Sequence, residues 1–324
     1  MAVLVARAPA RIDFGGGWTD VPPYSEERGG CVCNAAIELH AVATVRSAAK
    51  DAASHPGLSS ADNALATAAT RRAAMPDVRV EVQVEYPVGA GLGGSSAAGV
   101  AVLGALATWR GERPAPSCLA EESRRLEVED LGIAGGRQDH YAAAIGGVLG
   151  LWFGSEVTAR QLPLSDSTIE AMNRRCIVVY TGQSRISAST ITAVMDAYRS
   201  RDRRVLGALD RLRDLANGMV TAVESGDVDA LGLLVGEHWI YQRSLDPAIP
   251  TPLIDAVLAD AAAAGALGGK ALGASGGGCV LAVAAEGRED AVRSAMAARA
   301  QPLATRIAGH GFQVVSRSQP SSVP

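Results

Sequence analysis

Residues 87–97 read Pro-Val-Gly-Ala-Gly-Leu-Gly-Gly-Ser-Ser-Ala, with glycines at 89, 91, 93 and 94. Glycine accepts positive φ and lets a backbone approach a ligand closely. Behind the loop, Ser95 and Ser96 open an Ala/Val/Leu run that reads as a helix to about Trp109. A helix N-terminus offers free N–H groups and a partial positive charge, both suited to phosphate. The serines suit helix capping, phosphate oxygens or a metal. Ahead of the loop, Val78, Val80, Val82, Val84 and Tyr86 alternate with Arg79, Glu81, Gln83 and Glu85. A period of two with one apolar face reads as an antiparallel strand covered on one side. The order is therefore strand, glycine loop, helix. A serine-capped turn is the plainer alternative, but four glycines in six residues exceed what a turn needs.

The same loop contains G-x-G-x-x-G at Gly89, Gly91 and Gly94, the dinucleotide fingerprint. Its strand alternates instead of being uniformly apolar, and it does not sit in a first βαβ unit, so this reading is set aside. No Gly-Lys-Ser/Thr follows, which excludes a Walker loop.

Three further clusters carry chemistry. Arg11-Ile12-Asp13-Phe14-Gly15-Gly16-Gly17-Trp18-Thr19-Asp20 gathers polar groups around three glycines, with Trp18 placed to stack on a sugar. Gly135-Gly136-Arg137-Gln138-Asp139-His140 sets an aspartate after paired glycines, either a proton acceptor or a helix cap. Lys270 to Cys279 includes Gly276-Gly277-Gly278 before an apolar run, where backbone passes close to a ligand or to other backbone.

The chain has 324 residues, 48% hydrophobic and 20% charged, with net charge −4. This fits a folded protein of about two domains and gives no footprint for nucleic acid. Arg7 interrupts a short N-terminus unlike a signal peptide, and no apolar run approaches a membrane span, so a cytoplasmic protein is expected. Cys31, Cys33, Cys118, Cys176 and Cys279 lack metal-site spacing and read as reduced thiols. Helices are expected near 117–131, 186–198, 205–223, 228–241, 253–264 and 289–300. Further strands are expected near 147–153, 176–181, 279–284 and 312–315, with a surface helix and loops over 48–76.

Taken in order, these four segments resemble the three signature motifs and the catalytic-aspartate segment of the GHMP kinases. The resemblance covers almost the whole chain. It implies an α+β two-domain fold: an N-terminal ribosomal-protein-S5-like domain over 1–170, a C-terminal ferredoxin-like α/β domain over 171–324, and an active site in the cleft between them. Ala8-Pro9-Ala10-Arg11 through Pro23 and Glu27-Arg28-Gly29-Gly30 are similar to the branch of L-fucokinase and D-glycero-D-manno-heptose 7-phosphate kinase. Thr181 to Ser187 and Gly269 to Ala274 lean toward the heptose kinase, and the Trp18 form leans toward fucokinase.

The resemblance implies ATP and Mg2+ as cofactors, and a sugar or sugar phosphate as small-molecule partner. It implies neither a nucleic-acid nor a membrane partner, and it allows a homodimer. The reaction implied is phosphorylation of the anomeric hydroxyl of a heptose 7-phosphate or related higher-sugar phosphate, for nucleotide-sugar biosynthesis; the alternatives are an L-fucokinase-type kinase of a free sugar and a GHMP kinase of a non-sugar alcohol. Asp139 matches the catalytic aspartate, and Arg11 the arginine that supports either the transferring phosphoryl group or that aspartate. Pro87, Gly89, Ala90, Gly91, Leu92, Gly93, Gly94, Ser95 and Ser96 match the ATP loop. Gly276, Gly277 and Gly278 match the third motif, which braces that loop. Ser95 or Ser96, with Glu129, matches the magnesium site. Asp20, Thr19, Trp18 and Gly17 match the sugar site, and Arg137, Arg185, Arg243 and Lys270 are cations available to a substrate phosphate. Three positions depart from the pattern: Gly94 for serine, His140 for glutamine and Ser275 for glycine.

Overall fold

The computed structural model describes residues 2–47, 60–183 and 188–318. Strand β1 (Val3–Gly15) leads through a short helix α1 (Tyr24–Arg28) into β2 (Gly30–Ser47). The two strands pair antiparallel from Val3↔Arg46 to Gly15↔Cys33. Helix α2 (Ser60–Arg72) and β3 (Val78–Val84) follow, then the glycine loop and α3 (Gly94–Trp109). Helix α4 (Pro116–Arg125) runs into a π-helical turn at Leu126–Asp130, where a single helix over 117–131 was expected. Next come α5 (Gln138–Ile145), β4 (Val148–Phe153) and β5 (Val157–Gln161).

Strand β2 is long enough to serve two partners. Its first half pairs with β4, from Gly30↔Phe153 to Ala35↔Val148, and its second half with β3, from Ala41↔Val84 to Ser47↔Val78. The β1 face formed by Leu4, Ala6, Ala8, Ala10, Ile12 and Phe14 is buried. Three of these six side chains are alanine, so the equally small-residue helix α3 packs close to the sheet. That places the N-terminus of α3 beside the C-terminal end of β1, where Arg11 and Asp13 lie.

The second half begins with α6 (Asp166–Arg175) and β6 (Cys176–Tyr180). Helices α7 (Ala188–Arg199), α8 (Arg203–Glu224), α9 (Val228–Gln242) and α10 (Pro252–Ala264) follow. Strands β7 (Ala266–Ala271) and β8 (Cys279–Ala284), helix α11 (Glu289–Ala297) and β9 (Gln301–Leu303) complete a four-stranded sheet of order β7-β8-β6-β9. Side chains cap α6, α8, α9 and α10: Ser165, Asp202, Asp227 and Thr251 accept first-turn amides.

The last strand, β10 (Gln313–Ser318), returns to the first sheet and pairs with β1, giving the order β10-β1-β2-β4-β5 with β3 beside β2. The two halves also interlock through Trp18, Val21 and Tyr24, which join the core of the second half. Residue 170 stands as the proposed division, crossed by these two excursions. Among the described residues no helix is long and apolar enough to cross a membrane. Cys31, Cys33, Cys176 and Cys279 are buried and Cys118 is exposed.

Candidate active site

A cleft of about 480 Å³ opens where the glycine loop, the end of β1, the start of α5 and the turn between β7 and β8 converge. Pro87 through Ser96 form one wall, and Arg11, Asp13, Gly17, Trp18 and Asp20 another. Gly135, Gly136, Gln138, Asp139, Gly273 and Ala274 close the remainder.

The loop is held by backbone on two sides. Cys279 N–H donates to Ala90 O (2.8 Å) and Arg11 N–H to Leu92 O (2.9 Å). Gly91 has φ +75°, and a Cβ there would lie 2.6 Å from Leu272 O, so the loop and the third motif meet backbone to backbone. Gly276 N–H and Gly278 N–H bond to Ile249 O and Gln183 O, which fixes the bracing segment in turn. Ser275 holds φ +67° and donates its hydroxyl to Ile249 O (2.7 Å), keeping the left-handed turn that glycine would otherwise supply.

Gly93 is the N-cap of α3 with φ +69°, and no side chain caps this helix. Its first-turn amides therefore face the cleft without a side-chain acceptor, an arrangement suited to an anion. Capping by Ser95 or Ser96, one of the options left open by the sequence, does not occur. A Cβ on Gly93 would sit 3.1 Å from Asp139 Oδ2, so glycine there lets the loop close onto that carboxylate.

Asp139 lies in the first turn of α5, and Arg11 Nε donates to its Oδ1 at 2.7 Å. Arg11 Nη1 donates to Gly91 O at 2.6 Å, tying the pair to the loop. Burial of the Arg11 guanidinium opposes its charge, but Asp139, Asp13 and Asp20 outweigh burial and hold its pKa above the ordinary value.

Asp20 is buried, and its Oδ2 accepts from the backbone N–H of Arg137 (2.8 Å) and Gln138 (3.0 Å). Its pKa rises to about 6: burial drives it up and the Asp139 and Asp13 charges add, against the two backbone bonds. Trp18 borders the cleft in a left-handed conformation, φ +84°, and its indole N–H has no partner. Asp13 Oδ1 likewise has no partner, whereas Asp13 Oδ2 takes Lys270 Nζ at 2.9 Å. The glycine turn is pinned from α9, where His238 Nε2 accepts Gly16 N–H at 2.9 Å. Burial drives the His238 pKa well below its usual value, so the ring stays neutral and can accept this bond.

Several expected site residues lie elsewhere. Thr19 does not face the cleft: its hydroxyl donates to Gly16 O (2.7 Å) and Cys31 O (3.0 Å) and accepts Cys31 N–H, so it fastens the turn to β2. Lys270 is fully buried on Asp13, which leaves it no reach to a substrate phosphate. The Arg137 guanidinium lies against Glu121 at 3.5 Å and does not line the cleft, although its backbone holds Asp20. Arg243 pairs with Asp255 at the surface. Arg185 falls outside the described residues.

Glu129 also needs correction. Its side chain is 59% exposed and lies 3.6 Å from Arg72. Glu127 holds the inner position instead: it accepts from Ser95 Oγ (2.5 Å) and Ser96 Oγ (3.1 Å) and pairs with His140 Nε2 (2.9 Å). The cause is the π-helical turn, closed by Leu131 N–H on Leu126 O, whose five-residue spacing turns Glu127 inward and Glu129 outward. Burial opposes the charge on Glu127, but His140 and the two serines outweigh it and lower its pKa. Glu127 with Ser95 or Ser96 forms an oxygen-only donor set beside the uncapped helix. Such a set fits magnesium, which takes few protein ligands and completes its shell with phosphates and water. Among the described residues there is no cluster of three or more His, Cys, Asp or Glu able to hold a metal alone. His140, Glu127, Asp13 and His238 are the residues that sequence reasoning did not assign. Glu127 had a visible signal in Glu127-Val128-Glu129, but only helix register decides between the two carboxylates.

Comparison with known proteins matches residues 57–147 to the GHMP kinases N terminal domain and residues 219–301 to GHMP kinases C terminal. The L-fucokinase/L-fucose-1-P guanylyltransferase of Bacteroides fragilis is 27% identical over 98% of this chain and 39% of its own length. The D-glycero-alpha-D-manno-heptose 7-phosphate kinase of Campylobacter jejuni is 25% identical over 79% of this chain and 82% of its own. A solved D-glycero-D-manno-heptose 1-phosphate kinase from Bacteroides thetaiotaomicron superposes with TM-score 0.75 at 23% identity, covering 97% of this chain and 99% of that one. The chain spans about a quarter to two-fifths of the length of the curated fucokinase relatives it matches.

Proposed function

Because this chain belongs to the GHMP kinases, matching the family at both its domains, we propose that its cleft transfers the terminal phosphoryl group of ATP to the anomeric hydroxyl of a sugar. The observation that carries this reading is the Arg11–Asp139 pair, 2.7 Å apart, set directly against the glycine loop and the uncapped start of α3. The first-turn amides and the loop backbone bind the triphosphate. The acceptor hydroxyl gives its proton to Asp139, its oxygen bonds to the terminal phosphorus, and the bond to the departing ADP oxygen breaks. Arg11 holds Asp139 in place against the glycine loop. In such transfers a protein acts mainly by positioning and by charge stabilisation. Magnesium, held by Glu127 with Ser95 or Ser96, would neutralise charge on the phosphate oxygens. Glu127→Gln should weaken the magnesium dependence of ADP binding by at least about tenfold, with Glu129→Gln near wild type, read by calorimetry with and without the metal.

The acceptor end supports a polyhydroxyl substrate. Asp20 has Oδ1 uncommitted, and Asp13 Oδ1 and the Trp18 indole N–H are buried polar atoms without partners beside the cleft. Buried polar atoms need hydrogen-bond partners, and sugar hydroxyls supply both donors and acceptors. The preferred acceptor is proposed to be a heptose 7-phosphate or a related higher-sugar phosphate, with the 1-phosphate product feeding nucleotide-sugar synthesis. L-fucose is the second reading, favoured by the longer match to the fucokinase relative and by the burial of Lys270. ATP consumption with D-glycero-D-manno-heptose 7-phosphate, L-fucose and mevalonate separates the readings. The heptose phosphate should be used best, and a higher kcat/KM for L-fucose or mevalonate would displace it.

The acceptor KM should depend on pH through Asp20. A carboxyl raised to about 6 in the folded protein is neutral below that value and ionised above it. Its contribution to stability is therefore fully present below the unfolded pKa near 4 and is lost as pH rises through 6, roughly 3 kcal/mol in all. Recognition runs the opposite way, because only the ionised form accepts two hydroxyl protons freely. Acceptor KM should fall as pH rises from 5 to 7, and Asp20→Asn should remove that limb from the profile. An unchanged limb in the variant would assign it to another group.

A further inference from the structure

We infer that His140 and Ser96 act as a clamp on Glu127, holding one carboxylate oxygen so that the other is presented to magnesium. This inference rests on the kinase reading with Glu127 as a metal ligand, and it assigns the two positioning residues that orient that carboxylate.

The two oxygens of Glu127 have different surroundings. Oε2 lies 3.1 Å from Ser96 Oγ and 2.9 Å from His140 Nε2, and those two atoms are 3.4 Å apart. Ser96 is 3% exposed and His140 1%, so this side is closed to solvent. Oε1 takes the Ser95 hydroxyl at 2.5 Å, and Ser95 is exposed. Glu127 and Ser95 border the cleft beside the uncapped start of α3. The carboxylate thus turns one oxygen inward, onto the clamp, and the other toward the anion-binding amides.

The clamp is itself held. His140 Nδ1 lies 3.0 Å from the hydroxyl of Ser123, a buried residue of α4. Room for that serine comes from Gly99 of α3, where a Cβ would stand 2.5 Å from Ser123 Oγ. An ionised carboxylate only accepts, so His140 Nε2 carries the hydrogen of the Glu127 contact. In the neutral ring Nδ1 then accepts from Ser123, which fixes the ring's orientation. Helices α3, α4 and α5 and the π-helical turn therefore converge on one carboxylate. A ligand carried on an irregular turn needs such support, because partners behind a metal ligand select the rotamer that presents it. Asp139 immediately precedes His140 in the first turn of α5, so one turn of helix supplies the proton acceptor and the clamp together.

The test titrates ADP by calorimetry with and without magnesium, in wild type, His140→Gln, His140→Asn and Ser96→Ala. The quantity read is the factor by which magnesium strengthens ADP binding. Glutamine carries an N–H donor out to the position of Nε2, whereas asparagine reaches only that of Nδ1 and keeps the Ser123 contact alone. His140→Asn should lower the magnesium factor by about tenfold or more, the usual loss when a ligand's supporting partner is removed. His140→Gln should stay within about threefold of wild type, and Ser96→Ala should fall between the two. ADP affinity without magnesium should be close to wild type in all three, because the loop backbone and the first-turn amides of α3 are unchanged. A merely structural His140 would move the thermal midpoint and leave the magnesium factor alone. Where His140→Asn fails to fold, Ser96→Ala decides, and a wild-type factor in it overturns the clamp. A folded His140→Asn with a wild-type factor also overturns the clamp, and the metal assignment stands as long as Glu127→Gln loses the factor. A wild-type factor in Glu127→Gln as well overturns that assignment and the clamp with it.

Discussion

Asp139→Asn should fold, bind ATP and lose about 10²–10⁴-fold in kcat, the usual range for removing a general base. The amide keeps the shape of the carboxylate and can still contact Arg11 through its oxygen, so the 2.7 Å pairing has a neutral substitute. Asp13 and Asp20 remain to balance the buried Arg11 charge, which limits the cost to stability. Deleting proton acceptance therefore separates from loss of the fold. Three measurements are needed together: kcat with the sugar acceptor, ATP affinity by calorimetry, and the thermal midpoint. Near-normal kcat in a folded Asn variant would falsify the assignment of Asp139 as the base.

Gly91→Val should raise the dissociation constant for ATP by roughly a hundredfold or more. Two costs combine. A β-branched residue is strained at φ +75°. Its Cβ would also fall 2.6 Å from Leu272 O, a backbone atom that cannot rotate away. Relief requires the loop and the turn between β7 and β8 to separate. That separation would disturb the Cys279 N–H to Ala90 O bond and the Arg11 Nη1 contact to Gly91 O. Together they exceed about 3 kcal/mol, which corresponds to more than a hundredfold in affinity. The loss should appear in nucleotide binding before it appears in global unfolding, because the loop lies at the cleft and the core beneath α3 is untouched. ATP affinity close to wild type would make the loop a structural turn.

The loop at 87–97 was legible because its chemistry is local. Strand alternation, glycine spacing and the following apolar run each carry their own signal, and the structure places β3, the loop and α3 in that order. The Arg11–Asp139 pairing joins residues 128 apart in sequence, and only the order of motifs suggested it. Strands β1 and β2 were not anticipated. In β1 the inward positions Ala6, Ala8 and Ala10 are small, which weakens the signal of their alternation with Arg7 and Arg11, and β2 is buried on both faces through Gly30–Ile37, which removes the contrast that marks a strand covered on one side.

What the sequence determined by itself is the set of short-range elements and the residues that meet at the cleft: the glycine loop, Arg11, Asp20 and Asp139. Tertiary structure decided how the remaining charges are used. Lys270, Arg137 and Glu129 are ordinary charged residues in the sequence, each equally able to face substrate, solvent or a partner. Burial of Lys270 on Asp13 and the lean of Arg137 on Glu121 are set by how β7 meets β1 and how α4 meets α5. The exchange of Glu129 for Glu127 comes from one π-helical turn. A charge is assigned by what surrounds it, and its surroundings are supplied by segments distant in the chain; the amino-acid pattern fixes a backbone locally, whereas the partner of a long polar side chain is fixed only when the elements pack.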